Sequence, residues 1–148
     1  MRSPRVFIDP PAIDAVAGPL GAAVQFISTY FINELRAGDR ATPYSMVTAM
    51  GTPVVPAAMK DDQIILNQWL ADDLQAKPGD AVQMTWFILG TTQRLEQKRA
   101  TFRVHSVVPI AGATDDRDLL PEFPGIARAE KTENWDAGFT IDNTRIRP

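Results

Sequence analysis

Between Asp61 and Val108 the apolar residues first form a short run, then a helical stripe, then a strict alternation, and each change of period predicts an element. Gln63 to Leu66 is the short run and reads as a strand. Asn67 follows as a helix N-cap, its side-chain oxygen suited to accept from an unpaired N–H of the first turn. Leu66, Leu70 and Leu74 recur at four-residue spacing with Trp69 beside them, so Asn67 to Gln75 predicts a short helix with one apolar stripe. Asp72 and Asp73 then fall on a solvated face. Lys77 suits the C-terminal end of the helix dipole, and Pro78-Gly79 forces a turn.

From Ala81 the period becomes two, with Val82, Met84, Trp86 and Ile88 on one face and Gln83 and Thr85 on the other. Phe87 and Leu89 make the far end apolar on both faces. Gly90-Thr91-Thr92 interrupts the strand. The chain returns through a charged arm to Thr101–Val108, where Phe102, Val104, Ser106 and Val108 alternate with Thr101, Arg103, His105 and Val107. The pair predicts a long hairpin.

Outside this unit the pattern is weaker. Asp9-Pro10-Pro11 predicts a short surface helix over Ala12 to Ala17, ended by Gly18-Pro19. Val24 to Leu35 is rich in aromatic and β-branched residues and predicts a strand, Gly38-Asp39 a turn, Pro43 to Ala49 a second strand, and Gly51 to Ala58 a loop. After Val108, prolines and glycines break up the chain. Ile126 to Glu133 predicts two helical turns, and Trp135, Phe139 and Ile141 read as anchors of an irregular tail. Together these elements predict an α+β domain: a twisted, mostly antiparallel sheet, one short packed helix, and an irregular C-terminal segment over an edge.

The run DDQIILNQWLADDLQAKPGDAVQMTW, followed by TFRVHSVVPIAG, resembles the periplasmic core domain of the MacB-like and FtsX-like ABC-transporter permeases. The shared pattern comprises Asp62, Ile64-Ile65-Leu66-Asn67, Leu70-Ala71 and Lys77-Pro78-Gly79-Asp80. Asn33 to Arg40 and Asp115 to Pro121 are similar to one branch of the same permeases. The resemblance implies a non-catalytic extracytoplasmic domain of a cell-membrane permease that couples motion of membrane helices to a substrate or partner protein. It further implies a separate cytoplasmic ATPase, a dimeric full-length permease, and a periplasmic partner or lipoprotein substrate.

Composition narrows the alternatives. A chain of 148 residues, 45% hydrophobic and 22% charged, has one domain's length and an ordinary globular make-up. A net charge of −3 and a pI near 5.1 give no electrostatic case for nucleic acid. The absence of cysteine excludes disulfides and thiolate chemistry without naming a compartment. No signal peptide is evident at the N-terminus. Neither uncharged stretch predicts a membrane span: Ala15 to Asn33 is broken by Gly18-Pro19, and Ala41 to Met59 carries three prolines.

Candidate chemistry is sparse. The single histidine, His105, reads as a lightly packed strand residue, and one histidine without cysteine makes no usual zinc site. Asp115, Asp116 and Asp118 lack the glycine and the glutamate of a calcium loop and read as capping or solvated carboxylates. Arg94, Lys98, Arg99 and Arg103 gather on the hairpin, where they read as protection of a strand edge rather than a phosphate or lipid-headgroup contact. Trp69, Trp86 and Trp135 read as core. No nucleotide-binding glycine loop or nucleophile motif occurs. No catalytic, cofactor-binding or metal-binding residue is therefore assigned, and no cofactor is expected. Two other readings stand: a free-standing small-ligand-binding β-module whose pocket is lined by Trp86, Phe87 and Phe102, and an enzyme in which Asp61, Asp80 and Asp115 converge.

Overall fold

The structure is a computed structural model describing residues 9–21, 24–91, 94–116, 119 and 142–146. Its elements are α1 (Pro10–Leu20), β1 (Ser28–Ala37), β2 (Arg40–Ala49), β3 (Gln63–Asn67), α2 (Gln68–Leu74), β4 (Ala81–Leu89) and β5 (Leu95–Val108). The strands form one five-stranded sheet in the order β2-β1-β4-β5-β3. Its β1–β2, β1–β4 and β4–β5 pairs are antiparallel, and the β3–β5 pair is parallel. The fold is α+β, as the spacing predicts. The helix expected over Ile126–Glu133 and the anchors Trp135, Phe139 and Ile141 lie outside the described residues.

The unit from β3 to β5 forms as its residues dictate. Leu70 N–H donates to Asn67 Oδ1 at 2.8 Å, which caps α2. Gln75 ends the helix in the left-handed region at φ 52°, and Lys77 lies past the last turn. Gly79, at φ 94°, completes a turn that Asp80 ties off by accepting from Lys77 N–H at 3.0 Å. That turn is stitched to β5: Gly79 N–H donates to Val104 O and Arg103 Nη1 to Gly79 O, both at 2.8 Å. Replacing Asn67 by alanine is expected to cost about 1 kcal/mol, read as a shift in urea midpoint at unchanged slope.

α2 contacts β2 at one edge of the sheet and β3 at the other, so the sheet curls around the helix. Ala71 and Leu74 of α2, and Ala76 just after it, join Leu35, Ile64, Leu66, Val82, Met84 and Val104 in the core. Docking on both edges overturns two expectations. Asp73 is not on a solvated face: it accepts from the hydroxyl of Thr42, which is 3% exposed, and its backbone carbonyl accepts from Arg40 Nη1 at 3.2 Å. Trp69 is not core but 45% exposed, because burying Ala71 and Leu74 turns position 69 toward the edge of the packed face.

Two irregularities decide which side chains face inward. Ile64 pairs with Val104 and Ile65 with Ser106, so His105 is an extra, bulged residue on β5. One extra residue reverses the alternation, and Val107 rather than Ser106 follows Val104 into the core. On the other side of the sheet, Tyr30 and Ile32 face the core, but so do Leu35 and Ala37. The parity of β1 changes opposite Tyr44, which lies in the left-handed region at φ 53°.

Several boundaries also differ. β2 begins at Arg40 rather than Pro43, because Arg40 already pairs with Ala37 across the Gly38-Asp39 turn. α1 continues through Gly18-Pro19 to Leu20, with Pro19 inside its last turn at the loss of one intrahelical hydrogen bond. Gly21, at φ 51°, ends the helix with its N–H on Ala17 O. β1 begins at Ser28 rather than Val24, because the chain beyond Ala49 leaves the sheet and residues 24–27 pair with no strand among the described residues. β5 begins at Leu95 rather than Thr101, since the charged arm is itself paired with β4.

Candidate functional site

β1 and β4 pair only where Glu34–Arg36 meet Gln83–Thr85. Beyond that contact the β1–β2 and β4–β5 hairpins diverge, and the Tyr30 hydroxyl reaches across to donate to Phe87 O at 2.7 Å. On the face of the sheet that carries α2 lies a cavity of about 1060 Å³ that opens to solvent and is lined from all five strands. Its walls include Tyr30 and Ile32 from β1, Met84 and Trp86 from β4, Phe102 from β5 and Trp69 from α2. Lys60, Asp61, Asp115 and Asp116 lie along its border. The arrangement offers an apolar, aromatic wall with a few charged groups, as small-molecule sites commonly do.

Of the three residues expected to line a pocket, Trp86 and Phe102 reach the cavity. Phe87 does not, because successive residues of β4 face opposite sides and Trp86 takes the inner one. Of the three carboxylates expected to converge, Asp61 and Asp115 border the cavity, whereas Asp80 is spent on the Lys77–Asp80 turn. His105 Nδ1 lies 3.1 Å from Ser106 Oγ. Among the described residues, no three His, Cys, Asp or Glu side chains cluster as metal ligands would. Sequence reasoning missed Tyr30 and Trp69 as cavity residues, since only the docking of α2 against strands distant in the chain brings them to one wall.

The best-defined charge cluster lies elsewhere, on Glu34 of β1. Arg36 Nε sits 3.0 Å from Glu34 Oε1, and Arg145 pairs with the other carboxylate oxygen. Burial pushes the Glu34 carboxyl up, but hydrogen bonds and charge from Arg36 and Arg145 outweigh it and hold it below its ordinary 4.5. A depressed carboxylate stabilises the fold above its unfolded pKa, and that contribution is lost as pH falls through the folded value. Arg145→Ala is therefore expected to destabilise the chain at neutral pH but not well below pH 4.5. Urea titrations at the two pH values check this; an equal deficit at both would contradict it.

No helix among the described residues is long and apolar enough to cross a membrane. Scanning the chain against models of known protein families gives no match, and a search of curated proteins gives none either.

Proposed function

We propose that this chain is a non-catalytic extracytoplasmic domain of an FtsX-like ABC-transporter permease, coupling movement of membrane helices to a substrate or partner protein. The supporting observation is that the residues carrying the resemblance have architectural roles. Asn67 caps α2, Ala71 is buried on the inner face of that helix, and Lys77 to Asp80 form the turn stitched to β5. A motif that fixes a strand, helix and turn as one packed body suits a part that transmits displacement, since close-packed elements move nearly rigidly. In this reading ATP hydrolysis belongs to a separate cytoplasmic subunit, and the full permease is a dimer held in the cell membrane with this domain outside the cytoplasm. The test is protease accessibility of the segment in the parent polypeptide, in intact cells, spheroplasts and inverted vesicles. Cleavage from the outer side only, with the segment retained in membranes, is expected; a cytosolic segment, or tight ATP binding by this chain, would remove the proposal.

The cavity supports a second reading, a small-ligand-binding β-module. Trp69 and Trp86 both line it, so an apolar ligand entering it is expected to change tryptophan emission, and Trp86→Phe is expected to reduce that change. A chain whose emission responds to no apolar ligand would not be such a module.

A further inference from the structure

From Trp86 to Leu89, β4 pairs with β5 alone among the described residues, because the pairing of β1 with β4 ends at Thr85 and β3 meets β5 only from Arg103. Held at its base by the Tyr30 hydroxyl on Phe87 O and by Trp86 against the core, the end of the β4–β5 hairpin is thus a two-stranded ribbon four residues or about 13 Å long. Register places Leu89 opposite Leu95 and Phe87 opposite Gln97. Phe87, Leu89 and Leu95 therefore share the outer face, at 39%, 68% and 63% exposure. The next pair on that face is Thr85 and Arg99, and Arg94 stands beside Leu95. Lys98 is paired with Glu96 at 3.1 Å, whereas Arg94 and Arg99 have no ion-pair partner among the described residues.

We infer that this ribbon end docks on the surface of an anionic phospholipid bilayer. Three exposed apolar side chains at the ribbon tip gain by entering the acyl boundary, and cations at and behind them meet lipid phosphates as they do so. The spacing fits. Arg99 lies four residues, or about 13 Å, behind Leu95, and Arg94 has the aliphatic stem to reach back to the headgroups. The hairpin carries four cations against one carboxylate in a chain of net charge −3, so the attraction is local and orients the molecule. A free phosphate would use the arginines but not the leucines, which is why a membrane surface fits better. The inference stands whether or not the chain belongs to a permease.

Cosedimentation of this chain with phosphatidylcholine vesicles, and with vesicles also containing phosphatidylglycerol, tests it. Binding to the anionic vesicles alone is expected, weakening with salt and resisting competition by inorganic phosphate. Arg94→Gln with Arg99→Gln is expected to weaken it roughly thirty-fold, at about five-fold per cation lost. Leu89→Gln with Leu95→Gln is expected to abolish it, and circular dichroism should show both double variants folded, since all four residues are exposed. Absence of binding to anionic vesicles, or undiminished binding by either folded variant, overturns the inference. So does displacement by phosphate, or self-association through the leucines in place of vesicle binding.

Discussion

Leu66→Ala is expected to lower the stability of the chain by about 3 kcal/mol, whereas Leu70→Ala is expected to cost about 1 kcal/mol. In sequence the two leucines belong to the same stripe. In the structure Leu66 is 1% exposed at the cavity wall beside α2, so its truncation removes a wholly buried side chain from the core. Leu70 is half-buried and borders the open cavity, so water fills the vacated space and the loss approaches the transfer term alone. Urea denaturation at constant slope measures both. Equal costs would mean that α2 does not pack on the sheet through Ala71 and Leu74.

The second large effect belongs to the link between α2 and the far edge of the sheet. Asp73→Ala leaves the buried Thr42 hydroxyl without its charged acceptor and is expected to cost about 2 kcal/mol. Asp72→Ala is expected to change stability by no more than about 0.5 kcal/mol, since Asp72 is exposed and pairs only with Gln68 Nε2, at 2.7 Å, among the described residues. Thr42→Val removes the hydroxyl at constant shape, and a double-mutant cycle with Asp73→Ala is expected to show coupling of about 1 kcal/mol or more. Additive losses would show that the two side chains do not act as a unit. The link matters for the proposed coupling role, because β2 and β3 move together only if α2 is fastened to both.

Local elements were legible where one short stretch contained all the information. Asn67 announces a cap, Leu66 and Leu74 a buried stripe, Pro78-Gly79 a turn, and Val82, Met84 and Trp86 the inner face of a strand, because caps and periodicities act within a few residues. The α+β class followed from their order. The candidate site was only half legible: Trp86 and Phe102 were identified with the pocket, while Tyr30 and Trp69 were not and Phe87 was misassigned. Pairing and parity depend on distant partners. Nothing near His105 shows that it is bulged, nothing near Tyr44 shows that β1 changes sides opposite it, and nothing near Leu95 shows that it stands against Leu89. Equally, Asp72 and Asp73 look alike until the sheet curls and brings Thr42 to one of them. The sequence by itself determined the elements and the inner face of β4, since those are set by local sterics and hydrophobic spacing. The tertiary structure decided the split in the sheet, the cavity on the helix-bearing face and the ribbon at the end of β4 and β5, since each depends on how strands far apart in the chain pair and where that pairing stops.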